Sequence, residues 1–161
     1  MHSPPRSPDP DRHMPSIHNI DLEIIPVENH PGRRLLRVSY DLTAEPNDDF
    51  VGTEISETIR VHGRDLHDAP VDANSKPLAI GKAVFTVAEG TSSRTFEERV
   101  DRVSLDVEQD WWSTGMGGEV QPIAEWADHI VAEIELTHNE HLVDRATTSV
   151  VTGSWGALGA D

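Results

Sequence analysis

Between Ile20 and Leu136 the chain places apolar and polar residues at alternate positions in one short stretch after another. Successive side chains of an extended backbone point to opposite faces, so this period predicts strands with one buried and one wet face. Ile20, Leu22 and Ile24 share a face and Asp21 and Glu23 the other, until Pro26 and the turn at 29–32. Leu36, Val38, Tyr40 and Leu42 then alternate with Arg37, Ser39 and Asp41, which predicts the second arm of an antiparallel hairpin. A third strand sets Ile55, Ile59 and Val61 inward. Glu57 falls on that same face and predicts an edge or bulge where its carboxylate reaches water, the alternative being a buried carboxylate with a functional role.

Ala83, Phe85 and Val87 form the next apolar set, and Gly81 predicts a bulge. Phe96, Val100 and Val103 stand at helical spacing, with Thr95 and Glu98 spaced as a capping box, which leaves room for one short helix. Val103, Leu105 and Val107 return to period two, as do Ile130, Ala132, Ile134 and Leu136, and residues 147–151 read as a final strand. Seven or eight short strands broken by Gly, Pro, Asn and Asp predict an all-β fold, an antiparallel β-sandwich of immunoglobulin-like architecture. A βαβ fold would need fully apolar strands and intervening helices.

The flanks differ in composition. Residues 1–16 hold Pro4, Pro5, Pro8, Pro10 and Pro15 among polar residues and read as a flexible Pro-rich arm, or one that orders against a neighbouring subunit. The sandwich then covers 17–155 and a short tail 156–161. With 161 residues the domain is large enough to bury a core without staples. Zero cysteines excludes disulfides, thiolate metal sites and cysteine nucleophiles. A net charge of −16 repels phosphate backbones and anionic headgroups, so nucleic acid and membrane surfaces are poor partners. Neither a secretory apolar run at the N-terminus nor a bilayer-spanning stretch stands in the sequence, so the default expectation is a cytoplasmic protein or part of an assembled particle.

Candidate chemistry is sparse. Trp111 and Trp112, followed by Met116, Gly117 and Gly118, form an adaptable loop. Adjacent tryptophans in an extended chain cannot enter one core together, and an exposed Trp is a typical anchor of binding interfaces. His62, Asp65, His67, Asp68 and Asp72 supply zinc-ligand types, with His129 or Asp144 as nominal further ligands for them or for His138 and His141. Glu45, Asn47, Asp48 and Asp49 offer oxygen donors for calcium, but their spacing fails the EF-hand pattern. Nucleophile-elbow, zinc-protease, phosphate-loop and dinucleotide patterns are absent, and no cofactor is implied.

These features predict a noncatalytic structural or protein-interaction module, with the loop around Trp111 and Trp112 as its contact. A protein partner or self-assembly, including a subunit of a virus particle, fits this reading. The alternatives are a metal-dependent enzyme or metal-binding domain built on loop 62–72, and a carbohydrate-binding module that stacks a sugar ring on a tryptophan.

Overall fold

The computed structural model describes residues 13–63, 77–105, 111–114, 120–124 and 128–155. Two antiparallel sheets make the sandwich. The first joins β1 (Ser16–Val27), β2 (His30–Ala44) and β5 (Gly90–Asp101) in the order β1-β2-β5. The second runs β10-β8-β3-β4, from β3 (Glu54–Gly63), β4 (Ala79–Thr86), β8 (Asp128–His138) and β10 (Val151–Gly153), with β9 (His141–Thr147) also paired to β8. These eight strands form an all-β antiparallel sandwich of immunoglobulin-like architecture. A separate hairpin of β6 (Trp111–Thr114) and β7 (Val120–Ala124) lies outside both sheets.

The inward rows are those the alternation marks. Leu36, Val38, Tyr40 and Leu42 of β2 face Ile55, Ile59 and Val61 of β3 and Ile130, Ala132, Ile134 and Leu136 of β8, all of them buried. β1 departs from strict alternation for a local reason. Its register against β2 shifts between His18 and Asp21, where Asn19 takes a left-handed φ of 52°. The extra residue turns the chain by one position, so Ile17 packs on the same core as Ile20, Leu22 and Ile24 despite the odd spacing. Upstream, Met14 packs on that core and the His13 carbonyl accepts the Asp49 N–H.

The structure corrects four local expectations. The stretch with helical spacing from Phe96 to Val103 is not an α-helix: Phe96 and Val100 lie in the second half of β5, which pairs with β2 without interruption from Gly90 to Asp101. Pairing supplied by the longest strand outweighs a capping box with few apolar positions behind it. Val103 and Leu105 do not continue as a strand, because Arg102–Leu105 form a 3-10 turn that buries Leu105 and leaves Val103 61% exposed. Gly81 makes no bulge, since it pairs in register with Ile59. A Cβ there would lie 2.5 Å from the Phe96 ring, so the glycine makes room for an aromatic side chain from the other sheet. Finally, residues 147–151 are not one strand: β9 ends at Thr147 and β10 begins at Val151. Between them Thr148 donates its N–H to the Ala132 carbonyl and accepts the Ala132 N–H on Oγ1.

Trp155 closes the end of the sandwich. It packs over Gly153, its N–H donates to Asp128 Oδ2 at 3.2 Å, and its carbonyl accepts Arg102 Nη1 at 3.2 Å. Among the described residues, no helix is long and apolar enough to cross a membrane.

Candidate functional site

The strongest polar feature lies between the sheets. Tyr40 and Arg94 stand opposite each other on β2 and β5, and both point toward the second sheet, from which Glu57 of β3 reaches back. The Tyr40 hydroxyl donates to Glu57 Oε2. Arg94 donates through Nε to the same oxygen at 2.6 Å and through Nη2 to Oε1 at 3.3 Å. The guanidinium carbon also lies 3.8 Å from the centroid of the Phe85 ring, on β4. A charged fork stacked on an aromatic face and paired with a carboxylate is held from two directions.

This geometry corrects the expectation for Glu57. The residue is neither at an edge nor in a bulge: it pairs in register with Ala83 on one side and Leu136 on the other, and it is buried. Its charge is met by Arg94 rather than by water. Burial raises the Tyr40 pKa, and the Glu57 carboxylate adds to the rise, so the phenol stays protonated and acts only as a donor. Burial opposes the Arg94 charge, yet the hydrogen bond and charge of Glu57 outweigh it and the guanidinium pKa is raised. Both carboxylate oxygens are engaged, and the phenol is fixed as a donor. The cluster is therefore a clamp between sheets, without a free base or nucleophile.

The acidic loop is likewise committed to structure. Asp48 is buried, its Oδ1 accepts the Phe50 N–H at 2.7 Å, and its own N–H donates to the Glu45 carbonyl at 2.9 Å. Burial raises its pKa and the neighbouring Asp49 adds to this, against the Phe50 N–H. Such a carboxylate fastens a turn.

His138 and His141 are register partners across the β8–β9 turn, but among the described residues the histidines do not gather into a ligand cluster. His62 is half-buried at the end of β3, where burial lowers its pKa, against Glu133 and together with Arg60. The register puts His62 opposite Val131, two residues from His129, while Asp65, His67, Asp68 and Asp72 lie outside the described residues. His129 and His138 stand at opposite ends of β8, about 30 Å apart at the usual rise per residue. His138 faces the Glu54 carbonyl at 3.2 Å and meets the Phe50 ring edge-on. Asp144 spends its carboxylate on the N–H groups of Ile17 and Arg145, at 2.8 and 2.9 Å, tying β9 to β1. Among the described residues, no group of three or more His, Cys, Asp or Glu is placed to hold a metal.

Of the predicted contact loop, Trp111 and Trp112 lie on β6, where they pair with Ala124 and Pro122 of β7 across a register shift. Met116, Gly117 and Gly118 lie outside the described residues. Among the described residues β6 and β7 pair only with each other, so the hairpin completes neither sheet.

The pattern reading missed Arg94 because its segment has helical spacing and few apolar residues. A signal was present all the same: in strand register Arg94 is an inward cation and Glu57 an inward anion, two exceptions of opposite sign that answer each other.

No protein-family model and no curated protein matches the chain. Among solved structures it is similar to a β-D-mannosidase from Dictyoglomus thermophilum, with a TM-score of 0.50 and 8% identity, over 89% of this chain and 13% of that one. A glycosyl hydrolase family 2 member from Bacteroides cellulosilyticus gives a TM-score of 0.47 and 9% identity, over 84% of this chain and 14% of that one. For β-glucosidase 3B from Thermotoga neapolitana the figures are 0.36 and 11%, over 88% and 17%. The chain thus spans less than a fifth of each of these enzymes, and at such identities the likeness to the mannosidase is one of fold, an antiparallel β-sandwich.

Proposed function

We propose that the chain is a noncatalytic β-sandwich module that binds a partner protein through the hairpin carrying Trp111 and Trp112, together with Met116, Gly117 and Gly118, which follow in the sequence. The observation that supports this reading is the pairing of β6 and β7 with each other alone among the described residues. Among the described residues this hairpin is not held by the ladders that fix the other strands, and tandem tryptophans supply large contact area at small rotamer entropy. The inter-sheet clamp agrees, since its titratable groups are all engaged with one another.

The test is a double variant, W111A/W112A. A photo-reactive residue in place of Ser113 identifies the partner by cross-linking in cells, and binding of that purified partner is then measured. Two lost anchors weaken binding by about 30-fold or more, while the melting temperature stays that of the parent. Unchanged affinity would remove the hairpin from the function, and a collapse of the melting temperature would show that the tryptophans hold the fold instead.

Side-by-side tryptophans also favour a second reading, a carbohydrate ligand stacked on an indole ring. The mannosidase likeness makes β-linked mannosides the first probes. Tryptophan fluorescence unchanged at millimolar glycan, with W111A/W112A as the control, would dismiss it.

A further inference from the structure

Among the described residues the sandwich leaves two open edges on one side, β4 and β5, and they are not alike. β5 carries the exposed charges Glu97, Glu98 and Arg99, which oppose a docking strand. β4 presents Ile80 and Val84 to solvent at 44% and 63% exposure, with Lys82 between them on the same outward row. Its single neighbour among the described residues is β3, so every second residue of β4 directs its N–H and C=O away from the sheet.

Charge distinguishes this edge further. The register sets Lys82 opposite Thr58, which offers no charge, and among the described residues Lys82 forms no ion pair. Arg60 faces Ile80 on one side and Glu133 on the other, diagonal to Lys82. An uncompensated cation between two exposed apolar side chains sits at the edge of a chain whose net charge is −16.

We propose that β4 receives an extended peptide as an added antiparallel strand, and that this peptide carries an acidic residue flanked at the second position on either side by aliphatic ones. The aliphatic residues cover Val84 and Ile80, the carboxylate meets Lys82, and backbone hydrogen bonds hold the strand. A second copy of this chain fits less well. A two-fold pairing that sets Ile80 against the copy's Val84 puts Lys82 against Lys82, and sliding by two residues sets Lys82 against Val84 and leaves Ile80 against Thr86. A slip by one residue would turn the apolar row to the other face. This site is separate from the tryptophan hairpin and does not depend on it.

The test uses the full chain and a fluorescein-labelled peptide, Ser-Val-Thr-Glu-Thr-Val-Ser, against its counterpart with Lys in place of Glu, followed by fluorescence polarisation up to millimolar protein. The parent binds the Glu peptide at least fivefold more tightly than the Lys peptide, and Lys82→Glu reverses that order. Because Lys82 is exposed on the outward row, this substitution leaves the fold intact, which circular dichroism checks. Methylating alternate peptide nitrogens abolishes binding, and W111A/W112A leaves it unchanged, so failure here is distinct from failure of the hairpin reading. Equal affinity for both peptides in both proteins overturns the proposal. So does a concentration-dependent dimer that excludes the peptide, which would assign the edge to a second copy.

Discussion

Arg94→Met removes the guanidinium and keeps an aliphatic stem over Phe85 and Glu57. The carboxylate it leaves behind is 7% exposed and retains only the Tyr40 hydroxyl. Breaking a buried ion pair by deleting one partner costs about 3–5 kcal/mol, because the remaining charge is neither hydrated nor paired. Glu57→Leu removes the other partner, and the outcome differs because the Arg94 side chain is 28% exposed and its head can hydrate. The main loss is then the acceptor of the Tyr40 hydroxyl, about 1–3 kcal/mol. In the double variant the orphaned carboxylate no longer exists, so the cost returns to about that of Glu57→Leu alone, and the coupling between the sites equals the Arg94→Met cost, about 3–5 kcal/mol, at or above the top of the range for contacting pairs. Urea unfolding of the four proteins measures it, since about 5–15 kcal/mol of total stability leaves room for the loss. Additive losses, or a loss below about 1 kcal/mol for Arg94→Met, would refute the clamp.

Three further outcomes follow from the described geometry. Tyr40 is the one tyrosine of the chain, so absorbance near 295 nm reads it alone. Its raised pKa means stability is present below the unfolded value near 10 and is lost as the pH climbs above it, so the phenolate forms with loss of structure rather than before it; reversible ionisation near pH 10 in native protein would contradict this. Gly81→Ala drives a Cβ into the Phe96 ring and destabilises by about 1–3 kcal/mol, and Phe96→Leu in the same chain restores most of it; thermal melts in which the alanine stabilises would show the ring is not confined. Asp48→Asn keeps the acceptor for Phe50 while removing a carboxylate whose pKa burial raises. A raised carboxylate pKa gives stability that is full below the unfolded value and falls as the pH rises through the folded one, so the change in melting temperature on substitution is more favourable at pH 7 than at pH 3; the reverse order would mean that the charge itself holds the turn.

The core of both sheets was legible in the sequence because one-sided burial leaves a period of two. Leu36 to Leu42, Ile55 to Val61 and Ile130 to Leu136 follow it, apart from Glu57 in the inward row and Val131, which is buried on the opposite face of β8. The pattern misled where pairing rather than burial decides the conformation. β5 has Phe96 and Val100 as its inward apolar residues and is a strand because β2 offers a complete ladder. Gly81 reads as a bulge in isolation, and only the position of Phe96 in the other sheet explains it. The clamp was half legible: Glu57 stood out as an exception, but its answer came from a segment with a different apparent period. Of the histidine and aspartate loop 62–72, His62 lies near the end of β3, and Asp65, His67, Asp68 and Asp72 lie outside the described residues.

Between Leu105, the last residue of the 3-10 turn, and Asp128, the first residue of β8, no residue among those described belongs to either sheet. The entropy of closing such a segment grows only with the logarithm of its length, about 0.6 kcal/mol for each doubling. Hairpin β6–β7 sits inside this span while belonging to neither sheet. Lengthening or shortening this segment therefore changes its closure entropy by only about 0.6 kcal/mol per doubling, and the proposed contact hairpin rides on a span that tolerates changes of length.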